Sequence, residues 1–404
     1  MEFRSLSHLS CIKGSGGNRG EKPEDFIVDE ITEKGYASEI WQDASHEEEG
    51  EYIIFAIKKN NVTTSNMIRI ISQKLRINSE RISVAGQKDK NAITYQLVCC
   101  WKGKDINKEN IIALKKIKVK NGEIEVLNAW NSMKKINIGD LVGNRFKINL
   151  YNVIKIEQIN KINEDNKGFI PNYFWKQRFG INQKNIIIAK HILLKQYEDA
   201  VIEIITENNE EKKDIEDIGI KNFIINKKEI KGAYENIIKK QLIRYNQIGK
   251  TECLNAIKAI PTQILKMIIE SYQSYLFNLE LSERIKSKKL DIETDRRCGI
   301  NKYGFVDVDC KGDKVACLTL IGYDSKTNEI LDDILWKEGI DIGDFKVKDI
   351  PEVGCKGSWR PALANVKNLK IHESNDRCSL EFELPKGAYA TAALREWTDI
   401  ERVC

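Results

Sequence analysis

The chain has 404 residues, which is too long for one ordinary compact core and favours two or three domains. Hydrophobic residues make up 41% and charged residues 31% of the sequence, so the composition excludes a disordered or fibrous protein. No apolar stretch approaches the roughly 18 residues of a membrane span, and the N-terminus lacks a secretion signal. We therefore expect a globular, cytoplasmic protein that does not bind a membrane.

The first 150 residues favour strands with one or two helices. Strand patterns cover residues 52–58, 82–85, 93–100, 123–127 and 145–150, and apolar residues at helical spacing follow Thr64. The pattern becomes helical after about residue 168, with helices predicted over 184–195, 198–206, 232–245 and 262–288.

Two further segments carry structural signals, one in the helical middle and one near the end of the chain. The charged run 207–217 is predicted to be an exposed loop. Leu380, Phe382 and Leu384 alternate as in a strand, and a short helix is predicted over 390–397. This return of strand patterning suggests that the end of the chain rejoins the first sheet, with the helical middle as an insertion.

The cysteines and histidines do not form a metal-binding pattern. The ten cysteines are scattered without a CxxC pair, and none of the four histidines is spaced with them as zinc ligands are. We expect buried free thiols and no metal site.

Basic residues are concentrated between Lys58 and Lys90. This segment holds eight basic and two acidic residues, although the whole chain has a formal charge of only +5. Such a run is typical either of a surface that follows RNA phosphates or of an ordinary solvated helix face.

One carboxylate stands out inside that run. Asp89 lies between Lys88 and Lys90 in a glycine-led turn that follows a predicted strand. Flanking cations favour an ionised carboxylate and predict a low pKa for Asp89, which suits a nucleophile. A charged surface turn explains the same pattern.

A second group of candidates follows in the segment 141–148. Asn144 offers an amide that can hold a base edge or orient a carboxylate. Phe146 has the alternating position of a core residue, and its ring is also suited to stacking on a base.

Five segments, taken together, carry a resemblance to a known family. They are, in chain order, PEDF at 23–26, AGQKDKNAITYQ at 85–96, GNRF at 143–146, PNYFWKQRFG at 171–180 and LPKGAYAT at 384–391. Their order and separations resemble those of the TruD family of pseudouridine synthases, and the match extends from one end of the chain to the other.

The resemblance implies roles for particular residues. Asp89 corresponds to the catalytic aspartate of the family. Phe26, Asn144 and Tyr389 correspond to substrate contacts, and Phe146 to an aromatic of the active site. Many relatives have Phe where this chain has Tyr389.

The resemblance also shows one departure from the family. Relatives often have a lysine three residues before the PEDF proline, where this chain has Gly20. Arg19 or Lys22 is a candidate for that charge, and Lys88 and Lys90 are candidate supporting residues.

The implied fold is α+β, with a mixed, largely antiparallel sheet flanked by helices and interrupted by a mostly helical insertion. The expected division is a catalytic domain formed by residues 1–169 and 353–404, with an insertion domain at 170–352. The substrate would enter a cleft between the two.

The implied activity is the isomerisation of a uridine in transfer RNA, at uridine 13 in the D arm, by a monomer that needs no cofactor and no metal. Two alternatives remain open. A non-catalytic RNA-binding or RNA-folding protein would share the architecture, and a carboxylate-dependent glycosidase would release free uracil.

Overall fold

A computed structural model describes residues 3–40, 49–227, 233–290, 296–374 and 376–402 of the chain. Within these ranges, no helix has both the length and the apolar character needed to cross a membrane.

Strands occur in both halves of the chain and belong to three sheets. Their bounds are β1 Asn18–Arg19, β2 Phe26–Thr32, β3 Gly35–Tyr36, β4 Tyr52–Asn60, β5 Ile82–Val84, β6 Ile93–Trp101, β7 Lys116–Val119, β8 Gly122–Ser132, β9 Gly143–Tyr151, β10 Phe169–Pro171, β11 Arg297–Ile300, β12 Val306–Lys311, β13 Val315–Leu320, β14 Ser358–Pro361, β15 Leu363–Asn365, β16 Lys367–Glu373 and β17 Cys378–Pro385.

The helices between the strands lie mostly in the middle of the chain. Their bounds are α1 Thr64–Leu75, α2 Lys108–Ile112, α3 Glu157–Asp165, α4 Lys184–Leu193, α5 Tyr197–Ile205, α6 Asn209–Asn226, α7 Ala233–Leu242, α8 Lys250–Lys258, α9 Thr262–Lys286, α10 Glu329–Glu338 and α11 Ala390–Thr398. The predicted strands and helices are confirmed at these positions, with ends shifted by a few residues. The start of the predicted helix 232–245 lies outside the described residues.

The largest sheet has the order β16-β17-β9-β2-β6-β4-β8-β7, with β1, β3 and β5 added beside it. In the described part of this sheet, β2 and β6 are parallel and the other pairs are antiparallel. The predicted mixed, largely antiparallel sheet flanked by helices is therefore confirmed. The end of the chain joins this sheet as β17, as the return of strand patterning indicated.

One face of this sheet collects the residues of interest. Phe26 pairs with Ile148 and Glu30 with Asn144, and Phe146 pairs with Phe382 on the next strand. Side chains two residues apart on a strand point to the same face, so these residues share one face.

Helix α11 covers part of that face. The Trp397 ring meets the Phe382 ring edge-on at 4.9 Å, and both side chains are fully buried. Trp397 lies in the last turn of α11, and Tyr389 immediately precedes the first residue of this helix.

The prediction of an exposed loop at 207–217 is wrong about the loop, although most of these residues are exposed. Residues 209–217 form the first half of α6, which is capped at its start by the Asn208 side chain accepting from the Glu211 amide at 2.9 Å. Glu210 and Glu211 lie in the first turn of α6, where acidic side chains stabilise a helix. The charged run is therefore compatible with a helix.

The predicted domain boundaries stay a prediction. Strand β14, beyond the expected boundary at 352, pairs with β13, which lies before it. Residues on the two sides of that boundary thus share one small sheet.

Candidate active site

The turn that bears Asp89 connects β5 to β6. Asp89 is half-buried, and its Oδ1 accepts a short hydrogen bond from Nε2 of Gln177. Gln177 comes from a separate 3-10 turn, Lys176–Phe179, in the middle of the chain. The carboxylate is therefore held by two segments far apart in sequence and faces the junction between them.

A buried lysine supports the same turn from below. The Lys59 side chain is fully buried at the end of β4, and its Nζ donates to the backbone oxygens of Asp89 at 2.6 Å and Lys88 at 3.4 Å. Burial lowers the pKa of Lys59 to about 8, although the Asp89 charge opposes that shift.

Lys88 fixes the turn at a second point. Its Nζ lies 2.9 Å from Oε2 of Glu30, and both side chains are almost fully buried. Its backbone amide donates to Oγ1 of Thr64 at 3.0 Å. Because Glu30 pairs with Asn144 in the sheet, this ion pair brings the Asp89 turn toward Asn144.

The predicted low pKa of Asp89 is wrong in direction. Burial raises the pKa of the Asp89 carboxyl and outweighs the hydrogen bond from Gln177 and the charges of Lys59, Arg19 and Lys88, all of which lower it. The cations next to Asp89 are visible in the sequence, whereas the burial that raises its pKa depends on the fold. Lys90, the other flanking cation, is exposed to solvent.

Arg19 supplies charge close to the site. Its guanidinium carbon lies 4.9 Å from the centre of the Phe26 ring, and its charge reaches the Asp89 carboxyl. A Cβ at position 20 would lie 2.1 Å from Oδ2 of Asp25, so Gly20 has no room for the lysine of the relatives while Asp25 keeps this position. Of the two candidates for that charge, the geometry favours Arg19.

Phe26 and Asn144 differ in exposure, because the Phe26 side chain is only 3% exposed and belongs to the same core cluster as Phe146. Phe26 starts β2, and because β2 runs parallel to β6, it lies at the same sheet edge as the Asp89 turn. Asn144 is half-buried, and its Oδ1 is buried without a hydrogen-bond partner among the described residues. A buried unpaired oxygen is costly, so this amide is prepared for a donor that a ligand brings.

Phe146 lies in the core beneath the site. Its side chain is 5% exposed and packs between Phe26, at 6.1 Å between ring centres, and Phe382, at 5.5 Å. This placement favours the core interpretation of Phe146 over direct stacking on a base.

Tyr389 lies at the opposite wall. Its ring meets the Phe174 ring edge-on at 6.2 Å. Burial raises the pKa of the Tyr389 hydroxyl, the charges of Arg360 and Arg178 lower it, and the Asp89 charge raises it further. The effect of the Asp89 charge on the Tyr389 hydroxyl indicates that the two groups are close enough to interact electrostatically.

Sequence reasoning missed several residues of this site, namely Lys59, Phe174, Gln177 and Arg360. Lys59 has a recognisable signal, because it occupies the inward position that follows Ile53, Phe55 and Ile57 on an alternating strand. Gln177 and Phe174 lie inside the PNYFWKQRFG segment, but nothing in that segment alone indicates which side chain reaches Asp89.

The basic run 58–90 does not form one exposed wall. Lys59 and Lys88 are buried beneath the Asp89 turn. Arg81 is bound by Asp105 through two hydrogen bonds of 2.9 Å. Lys59 and Lys88 are thus not available to RNA phosphates, and a phosphate-binding role for the exposed residues of the run stays a prediction.

The expected buried thiols are largely confirmed. Seven of the described cysteines are buried and free, whereas Cys11 is exposed and Cys310 half-buried. The described residues contain no group of three side chains able to hold a metal ion. His46 and Cys404 lie outside the described residues, and the absence of a metal requirement stays a prediction.

The buried Lys59 gives a testable pH dependence of stability. Its pKa is about 8 in the folded chain and 10.5 when unperturbed, so between these values the unfolded chain binds more protons and folding is favoured as pH rises. We expect the advantage of the wild type over Lys59→Met in free energy of unfolding to grow by about 2 kcal/mol between about pH 7 and about pH 10. Urea unfolding of both proteins measures it, and a constant difference would contradict the assignment.

Comparison with known proteins agrees with the geometry. The family model described as tRNA pseudouridine synthase D (TruD) matches residues 6–397. A curated relative from Nanoarchaeum equitans is 33% identical over 93% of this chain and 96% of its own length, and one from Archaeoglobus fulgidus is 31% identical over 98% and 97%. Both carry the name tRNA pseudouridine synthase D.

A solved structure shares the fold. The crystal structure of a tRNA pseudouridine synthase D from Methanosarcina mazei matches with a TM-score of 0.69 and 26% identity, covering 98% of this chain and 97% of that one. The chain belongs to the TruD family, the tRNA pseudouridine synthases D, which are isomerases.

Proposed function

We propose that this protein converts a uridine of transfer RNA, uridine 13 in the D arm, to pseudouridine with Asp89 as nucleophile, acting as a monomer in the cytoplasm. One observation carries the assignment. The half-buried Asp89 carboxylate accepts from Gln177, Lys59 holds the backbone of the same turn, and the charge of Asp89 acts on the Tyr389 hydroxyl.

The reaction rearranges bonds without changing composition. The bond between N1 of uracil and C1′ of ribose breaks, the base turns, and C5 bonds to C1′ while the C5 proton is lost and N1 gains one. A carboxylate serves either by attacking C1′ or by adding to the base, and both routes require ionised Asp89.

The surroundings of Asp89 suit this task. Partial burial removes water from the carboxylate and strengthens its interactions, while Gln177, Lys59 and Arg19 favour the ionised form. Burial thus raises the pKa of Asp89, while these three neighbours act in the opposite direction and favour the nucleophilic form.

The uridine must leave its helix to reach Asp89. Extrusion costs a few kcal/mol, which contacts to the freed base offset. Tyr389 offers a partly accessible ring, and Asn144 Oδ1 is an acceptor matched to the N3–H group of uracil. Arg19 over Phe26 closes the site near the Asp89 turn.

Substitution of the nucleophile separates this function from its alternatives. We expect Asp89→Asn to bind transfer RNA normally and to lose about 10⁴-fold or more in the rate of pseudouridine formation. Asp105→Asn is the matched control, because Asp105 is an exposed carboxylate paired with Arg81. Nuclease digestion followed by chromatography measures pseudouridine and free uracil.

Each outcome of that experiment decides between hypotheses. Full activity of Asp89→Asn would refute the assignment of the nucleophile. A wild-type protein that binds RNA without forming pseudouridine is the RNA-binding alternative, and release of uracil is the glycosidase alternative.

We expect Gln177 to help set the pH below which the rate of pseudouridine formation falls. Its hydrogen bond lowers the pKa of Asp89, so its removal raises that pKa and moves the acid-side loss of activity to higher pH. Single-turnover rates of Gln177→Ala across pH test this expectation. Gln73→Ala, on an exposed face of α1, is the control and keeps the wild-type profile. An unshifted acid limb in Gln177→Ala would rule out this role.

We expect the ring of Tyr389, rather than its hydroxyl, to contribute to the rate of pseudouridine formation. Tyr389→Phe keeps the contact with Phe174 and should retain the rate to within about threefold, whereas Tyr389→Ala should lose about tenfold or more because stacking on a base is worth ~1–3 kcal/mol. Single-turnover rates compare the two variants. Equal losses in both would assign the role to the hydroxyl instead.

A further inference from the structure

Arg360 is placed next to the same aromatic ring as Tyr389. Its guanidinium carbon lies 4.0 Å from the centre of the Phe174 ring, and the Tyr389 ring packs on Phe174 at 6.2 Å. Arg178 approaches the same ring at 5.7 Å. Two cations thus lie beside the ring that Tyr389 contacts.

The hydrogen bonds of Arg360 use two of its three nitrogens. Nε donates to the backbone oxygen of Asn172 at 3.1 Å, and Nη2 donates to Asn172 Oδ1 at 2.6 Å and to the Gly387 backbone oxygen at 2.9 Å. No hydrogen bond of Nη1 to a described residue occurs. A Cβ at position 387 would lie 3.5 Å from Nη1, so Gly387, with a φ of 80°, leaves this atom uncovered.

The charge of Arg360 lacks a carboxylate partner within the described part of the chain. Arg178, in contrast, is paired with Glu270 at 3.1 Å. Burial lowers the pKa of Arg360 to about 10, and the like charge of Arg178 lowers it further. Arg360 is half-buried and its hydrogen-bond partners are all neutral, so its charge is not compensated, and an incoming anion would compensate it.

Arg360 lies close to the proposed base site. Its charge acts on the Tyr389 hydroxyl, and both side chains contact the Phe174 ring. A cavity of about 160 Å³ also adjoins Arg360, but it is lined by Asp307, Lys386 and Pro385 among others and not by Asp89, Asn144 or Tyr389. The proposed contact therefore depends on the side of the guanidinium that adjoins Phe174 and Tyr389.

We propose that Arg360, through Nη1, binds a phosphodiester that flanks the extruded uridine. This inference rests on the proposed function, in which the base lies between Asn144 and Tyr389 and faces Asp89. The phosphates of that nucleotide are one ribose away from its base. A guanidinium, whose donors form a rigid fork, matches phosphate oxygens in charge and geometry.

A purely structural role is the rival explanation. Through Gly387 and Asn172, Arg360 also holds the turn that leads to Tyr389. Loss of that support would weaken RNA binding whether or not Arg360 touches a phosphate, so a simple loss of affinity does not separate the two roles.

The two roles can be separated by a double-mutant cycle, in which the charge is removed from Arg360, from one RNA phosphate, and from both together. Transfer RNA is assembled from synthetic strands with a neutral methylphosphonate on the 5′ or the 3′ side of the target uridine, or at a distant site as the RNA control. Dissociation constants are measured by filter binding for the wild type and for Arg360→Gln. Lys337→Gln is the protein control, because Lys337 is exposed on α10 and paired with Asp333.

For one of the two flanking positions we expect the methylphosphonate to weaken wild-type binding about tenfold, as for the loss of a charged hydrogen bond. Arg360→Gln should bind unmodified RNA about tenfold more weakly and show no further loss with that methylphosphonate. If the loss of affinity caused by Arg360→Gln multiplies with the loss caused by the methylphosphonate at both flanking positions, the phosphate contact is refuted and only the structural role remains.

The experiment also distinguishes this inference from the function on which it rests. Wild-type protein is first tested for pseudouridine formation in the unmodified RNA. Absence of product refutes the proposed function, whereas product formation together with independent, multiplying losses refutes only the contact made by Arg360.

Discussion

The hydrogen bond from the buried Lys59 ammonium to the Asp89 backbone oxygen is the constraint on which the site depends. It anchors the turn at its backbone, so the carboxylate itself stays available to Gln177 and to a substrate. Burying a lysine is unfavourable unless its protons have acceptors, and here carbonyl oxygens of the Asp89 turn provide them. The same bond thus satisfies the lysine and orders the turn.

The pairing of strands in the large sheet brings the other residues of the proposed site close to the Asp89 turn. The parallel pair β2 and β6 places Phe26 and the Asp89 turn at one edge, and the antiparallel pairs with β9 and β17 add Asn144 and the turn before Tyr389. The middle of the chain then contributes Gln177 and Phe174 from the other side. The residues proposed for the site therefore come from both parts of the chain.

Much of the fold follows from the sequence, because alternation and helical spacing reflect burial directly. The strands around Phe55, Val98 and Phe382 were predicted for this reason. The helix α6 was not, since a charge-rich sequence gives little periodicity, and its start depends on one cap by Asn208.

The candidate site was predictable in part. The family segments point to Asp89, Phe26, Asn144 and Tyr389, and the structure brings their chain segments together. The pKa direction of Asp89 was not predictable, because desolvation depends on tertiary burial whereas the sequence displays only neighbouring charges. The contacts of Lys59, Gln177 and Arg360 likewise join residues distant in sequence, and no local pattern indicates their partners.

The central claim is that an extruded uridine meets Asp89 in the cleft between Asn144 and Tyr389. A crystal structure of the protein with transfer RNA carrying 5-fluorouridine at the modified position tests it most directly. The account predicts that base outside its helix, against the Tyr389 ring, with the Asp89 carboxylate in contact with the base or with C1′. A base that stays stacked in the RNA, with Asp89 facing solvent or protein alone, would contradict it.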